Sequence, residues 1–182
     1  MWLERQFGAR VTWLPFHLHP EYPPDGISRA ELDARYGPSS RDRIRAWFAQ
    51  EDLVYAPPAD VVSSTRLALE LGEGAREEGV HRAYHDRAMD AYWAEGRDLS
   101  ARSVLEELAR EAGMSDDGIA RALDDRAWSP IVDASTARAQ SLGATGVPAF
   151  VIDWCVLVVG AQPRELLAQA VAQAREARAA GA

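Results

Sequence analysis

Two hydrophobic patterns alternate along the chain, and the middle is dominated by a period near four residues. Leu67, Leu71 and Ala75 recur at four-residue steps within residues 64–78, and Tyr84, Ala88, Ala91 and Tyr92 form one stripe within 80–95. Apolar residues at such spacing line one side of a helix, so both stretches are predicted helices with one buried face. Ile44, Trp47 and Phe48 repeat the spacing after Pro38. Local punctuation sets the ends. Ser28 followed by Glu31 is a capping box for a short helix ending near Gly37. Ser100 and Ser115 are expected to cap helices over 101–111 and 116–125, and Pro130 opens one that runs to Leu142. Residues 2–7 read as the last turns of a helix stopped by Gly8. Gly72 and Gly74 weaken the 64–78 helix, each by up to about 1 kcal/mol against alanine.

The second pattern is a short apolar run bounded by glycine and proline. Residues 11–16 form one such run, a predicted strand with Val11, Trp13 and Pro15 on a shared face. The rest of the chain is organised around 143–152, Gly-Ala-Thr-Gly-Val-Pro-Ala-Phe-Val-Ile. Proline cannot donate to a sheet ladder, so Pro148 belongs at a strand's first residue or on an edge. Residues 149–152 follow as a strand, Asp153 and Trp154 as a turn, and 155–159 as a second strand. Pro163 opens a C-terminal helix whose alanine-rich end after Gln173 is expected to fray. Taken alone, the Val147–Pro148 bond is compatible with trans or cis. The order is strand, helical stretch, hairpin, helix, which defines an α/β chain.

Composition narrows the function more than the fold. The chain has 182 residues, 47% hydrophobic and 26% charged, enough for one packed domain with room for a subdomain. A net charge of −8 argues against a nucleic-acid surface, which needs a basic stripe. No apolar run approaches the roughly 20 residues of a membrane span, and the first residues lack the apolar core of a signal peptide. A cytoplasmic protein is therefore expected. All 20 basic residues are arginine, so Schiff-base catalysis and a lysine-dependent phosphate loop are excluded within this chain. Cys155 is the single cysteine, so this chain holds neither an internal disulfide nor a Cys-x-x-Cys pair.

Candidate chemistry is sparse. Cys155 opens Cys-Val-Leu-Val-Val, apolar on both faces, so it is expected to pack in a buried strand. A mixed disulfide with glutathione is the alternative. His17 and His19 would share a face if extended, but no third ligand is placed by spacing, and a solvated loop is the expectation. His81 and His85 stand at i, i+4 beside Glu77 and Asp86 without a metalloprotease pattern, and read as a helix surface with one half-buried histidine. Asp116-Asp117 and Asp124-Asp125 read as helix-end charges. No metal site is expected.

Several segments carry a resemblance. Val-Thr-Trp-Leu-Pro-Phe-His-Leu-His-Pro at 11–20, Pro-Pro-Asp-Gly-Ile at 23–27 and Ala-Arg-Tyr-Gly at 34–37 begin it. Thr-Arg-Leu-Ala-Leu at 65–69, Arg-Glu-Glu-Gly at 76–79 and Tyr-Trp-Ala-Glu-Gly-Arg-Asp-Leu-Ser at 92–100 continue it. Gly-Val-Pro-Ala-Phe-Val-Ile at 146–152 and Gly-Ala-Gln-Pro at 160–163 complete it. In order and spacing these resemble DsbA-family thioredoxin-like proteins of the FrnE type.

The resemblance implies a thioredoxin-like fold with an inserted helical subdomain. Residues 1–22 and 140–180 would form the thioredoxin-like part and 23–139 the insertion. It implies a cis bond before Pro148 and a thiol-disulfide oxidoreductase. Thr145, Gly146, Val147 and Pro148 would bind an extended thiol or disulfide substrate, a peptide or glutathione, through backbone groups. Family members carry a catalytic Cys-x-x-Cys, or in related glutathione-dependent isomerases a serine, on the first strand and helix. That segment is expected upstream of Met1, so no catalytic residue and no bound cofactor are expected in this chain. The family's first strand would lie between residues 11–16 and the strand after Pro148. In its absence the two strands would close on each other, another chain would donate a strand, as a homodimer would allow, or residues upstream of Met1 would fill the gap, and the last is the expectation. Two alternatives stay open: an isomerase of the 2-hydroxychromene-2-carboxylate type, and a non-catalytic binding module. Smaller departures are Ala149 in place of the common threonine and a hairpin turn without glycine.

Overall fold

A computed structural model describes residues 2–37 and 39–181; Pro38, read above as the opener of a helix, lies outside them. The chain divides into two compact units, one of Met1–Leu18 with Asp133–Ala182 and the other of His19–Val132. The expected boundaries, 22/23 and 139/140, lie four and seven residues later in the chain.

The first unit begins with α1 (Trp2–Phe7), ended by Gly8 at φ 62°, whose amide donates to Glu4 O at 3.0 Å. Residues 11–16 do not form a strand. A strand exists only through a ladder partner, and no described segment pairs with this one. Side-chain hydroxyls hold it instead. Ser135 Oγ donates to Pro15 O at 2.8 Å, and the His17 amide donates to Thr136 Oγ1 at 2.9 Å.

The second unit is helical apart from a two-residue pairing of β1 (Ile27–Ser28) with β2 (Val61–Val62). Gly26 makes that pairing possible. Its φ is 85°, and a Cβ there would stand 2.5 Å from Val62 O. Ser28 caps α2 (Arg29–Tyr36) by accepting from the Glu31 amide at 3.2 Å. Then come α3 (Ser39–Gln50), α4 (Arg66–Glu77), α5 (His81–Trp93), α6 (Arg102–Glu111) and α7 (Asp116–Leu123). Ser115 caps α7 as expected, whereas Ser100 does not cap α6. Ser100 Oγ accepts from the Ser64 amide at 2.8 Å, and Ala101 takes the cap position.

The core of this unit gathers the predicted stripes. Leu71, Ala75, Tyr84, Ala88 and Ala91 bury against Leu105, Leu108, Ile119 and Trp128. Glu70 is fully buried in the same helix and is compensated there. Arg66 Nε reaches its Oε1 at 2.5 Å, and Arg126 Nε reaches Oε2 at 2.6 Å. A buried charge survives only with such partners.

The chain leaves this unit along α8 (Ser129–Ser141) and enters the hairpin of β3 (Ala149–Ile152) and β4 (Val156–Val159). The last helix, α9 (Arg164–Ala180), stays helical past Gln173, against the expected fraying. Alanine is the best helix former, Ala174 is fully buried, and Arg175 Nη2 donates to Phe7 O at 2.9 Å. Leu3, Val158, Leu167, Ala170 and Val171 form the core of this unit, with Phe150 and Ile152 packed against it.

Candidate functional site

Gly143, Gly146 and Pro148 shape the approach to β3. Gly143 turns the chain at φ 92°, and Ala144, 2% exposed, anchors it by donating from its amide to Ala139 O at 3.0 Å. From that anchor the chain rises to the surface. Thr145, Val147 and Pro148 are exposed and Gly146 is half-buried. The Val147–Pro148 peptide is cis.

The ladder phase then decides which backbone groups are free. The Gly160 amide donates to Pro148 O at 2.7 Å, and Phe150 and Ile152 stand opposite Val158 and Val156. In an antiparallel pair, alternate residues turn their amide and carbonyl toward the partner. Pro148, Phe150 and Ile152 therefore face β4. Ala149 and Val151 send theirs to the opposite edge. Among the described residues, β4 is the only ladder partner of β3. Thr145, Gly146, Val147 and Pro148 lead directly into the open edge at Ala149, with Pro148 itself turned to β4. Ala149 and Val151 were not singled out in the sequence, although a short strand without a charge was a visible signal for them.

Cys155 does not join this edge and is not in a strand. It is exposed and ends the hairpin turn, its amide donating to Ile152 O at 3.1 Å. Asp153 and Trp154 occupy left-handed backbone at φ 46° and 59°, and because Ile152 pairs with Val156 the turn takes three residues where two were expected. That extra residue removes Cys155 from the buried strand. The four residues of β3, at about 3.3 Å each, separate it from Pro148. A cavity of about 350 Å³ beside it is lined by Asp153, Trp154, Ala177 and Arg178. Arg138 stacks over the Trp154 ring, 4.1 Å from its centroid.

Among the described residues, no group of three or more acidic, histidine or cysteine side chains could hold a metal ion. His19 pairs with Glu21 at 2.9 Å and stacks on Tyr22. His81 and His85 are both half-buried and stacked at 6.0 Å, where one half-buried ring was expected. Burial holds both below the usual histidine range, and Arg76 adds to this at His81. Asp116 and Asp124 pair with Arg110 and Arg102 at 3.0 and 2.6 Å. No described helix is long and apolar enough to cross a membrane.

A thioredoxin-like hairpin entered through Gly-Val-Pro, with a helical unit on the same chain, defines a class, and comparison supplies the family. The profile of the DSBA-like thioredoxin domain matches residues 2–172, and the chain belongs to that family. It is similar to the crystal structure of a probable DsbA oxidoreductase from Streptomyces coelicolor. The two share 32% sequence identity at a TM-score of 0.84, covering 94% of this chain and 78% of the other. No curated protein matches the sequence.

Proposed function

We propose that the chain supplies the substrate-binding side of a DsbA-type thiol-disulfide exchange site. An extended thiol or disulfide peptide would add along the open edge of β3. The observation that carries this is the edge itself: Val147, Ala149 and Val151 are exposed, and Ala149 and Val151 turn their backbone groups away from β4. Proteins blunt open strand edges with charge, and Ala149–Ile152 has none. Strand addition uses backbone hydrogen bonds for affinity and alternate side chains for selection, which suits a protein that handles many sequences. Thr145 and Gly146 would flank the bound peptide, and Pro148 would set the start of the edge. The division of labour follows the two units, a thioredoxin-like unit with the edge and an inserted helical unit. A lone exposed thiol and the absence of a disulfide framework favour a reducing, cytoplasmic compartment.

Thiol-disulfide cycling needs an attacking and a resolving sulfur, and the chain has one cysteine. The 182-residue chain is therefore expected to reduce insulin no faster than background. The binding test is a titration with an extended cysteine-containing hexapeptide, followed through the amide signals of residues 145–151. A peptide N-methylated at alternate residues should lose at least about tenfold in affinity, because each lost hydrogen bond leaves a strand group unpaired. Equal binding of the methylated peptide would defeat the edge reading. A β3-to-β3 dimer that excludes the peptide would make a second copy the occupant.

A further inference from the structure

The helical unit holds a cationic cavity that no part of the thiol reading uses. It measures about 240 Å³ and is lined by Arg29, Arg45, Tyr55, Ala56, Pro57 and Ala59. Among the described residues, two guanidinium groups and no carboxylate line it, in a chain whose net charge is −8.

Arg29 is fixed and uncompensated. Its Nη2 donates to Pro58 O at 2.9 Å and to Val61 O at 3.3 Å, while Nε is buried without a partner. Both acceptors are neutral carbonyls, and Tyr92 adds only a neutral hydroxyl. Asp98, near Tyr92, makes no ion pair with Arg29 among the described residues, and its Oδ1 accepts from the Ser63 hydroxyl at 2.6 Å and the Ser100 amide at 2.9 Å. A half-buried cation held by neutral groups lacks its counter-charge. Arg45 is the movable half. Its guanidinium lies 5.7 Å from the Tyr55 ring centroid, and its contact to Asp42 is long, 3.9 Å, between exposed side chains. The opposite wall is rigid. Tyr55 packs against Phe48 and Trp93 at 5.3 and 5.8 Å, and the Ala56 amide donates to Trp93 O at 2.6 Å.

We infer that this cavity is a binding site for a small oxyanion, a carboxylate or phosphate group carried on a short apolar body. Arginine forks match both oxyanions, and Ala56, Pro57 and Ala59 offer apolar walls to the remainder. The volume falls just below the roughly 300–1,000 Å³ of drug-sized sites, which restricts the ligand to a small acid or an end group.

The test titrates the full chain with butyrate, inorganic phosphate and neutral butyramide at matched ionic strength. Binding is followed through the amide signals of residues 29, 45 and 55–59 and through tryptophan fluorescence beside Tyr55. Butyrate, phosphate or both should shift these signals saturably while butyramide does not, and the tighter of the two names the source. Arg29→Gln risks the fold, since Arg29 ties two carbonyls. Arg45→Gln, whose native side chain is 66% exposed, keeps the fold and should weaken binding at least about tenfold. Butyramide binding as well as butyrate, no saturable shift at these residues, or unchanged affinity in Arg45→Gln would each overturn the site.

Discussion

Glu70 and the two half-buried histidines carry opposite lessons about single charges in the helical unit. Burial acts to raise the Glu70 carboxyl, but the Arg126 and Arg66 guanidiniums outweigh it and hold the group below the usual carboxylate range. Its stabilisation is complete above the unfolded value of about 4.3 and is lost as pH falls through the lower folded value. His81 and His85 are also lowered, with burial the main cause. Arg76 Nη2 meets His81 Nε2 at 3.0 Å, and a guanidinium can only donate, so the ring must accept there as a neutral imidazole. The unfolded chain protonates first, near pH 6.5, so stability from these rings is complete above that value and drains as pH falls below it. The urea midpoint should therefore drop in two stages on acidification, one below about pH 6.5 and one below about pH 4.3. A double His81→Gln, His85→Gln variant should lose the first stage, and Glu70→Gln should shrink the second, to which Glu77, Glu107 and Asp124, also held low by arginine partners, contribute. Glu70→Gln should also cost about 3 kcal/mol at pH 7, the low end for a broken buried pair, because Arg126 is 43% exposed and can rehydrate. A flat profile between pH 7 and 5 would count against the histidine assignment.

Among elements, α4 shows how two glycines of one helix differ. Both were expected to weaken it equally. A Cβ on Gly72 would meet only the Tyr84 ring, at 3.8 Å, which is ordinary contact. A Cβ on Gly74 would press on Trp128 at 3.1 Å and Met114 at 3.2 Å. Gly72→Ala should then stabilise the helical unit by about 0.5–1 kcal/mol. Gly74→Ala should lose that gain and destabilise, because an indole packed in the core cannot step aside. Thermal melts of the two variants moving in the same direction would contradict this. The same contrast marks what was legible beforehand. Ser28, Ser115 and Gly8 act within one turn of their own position, and the sequence shows them. The Gly143–Pro148 approach to β3 was legible too, because glycine and proline dictate backbone locally. Residues 11–16 have strand-like composition, yet pairing depends on residues far away in sequence. Ser100 caps nothing because the distant Ser64 amide takes its hydroxyl. Cys155 slipped from strand to turn through one extra turn residue, and the unused edge of β3 follows from pairing alone.

For the whole molecule, the decisive fact is that each unit owns its core. Every buried member of the helical cluster, from Leu71 to Trp128, lies within His19–Val132. Every member of the other cluster, from Leu3 to Val171, lies in the remaining segments. Hydrophobic burial is the dominant favourable term in folding, so cooperativity should follow these clusters. The helical unit is one continuous stretch. Its ion pairs, including Arg87 with Glu95 and Glu111 and Arg97 with Glu107, close within that stretch. The other unit is assembled from two stretches and depends on α1 meeting α9, where Arg175 Nη2 donates to Phe7 O at 2.9 Å and Leu3 joins the cluster of Leu167, after the whole chain has been made. Expressed alone, residues 19–132 should fold, retain helical circular dichroism, and unfold in one cooperative urea transition. Residues 133–182 alone should not, because Leu3, Phe7 and Val11 would be missing from their core. If the 19–132 fragment showed no cooperative transition while the full chain did, the two cores would have to be energetically joined. The helical insertion would then be no folding unit of its own.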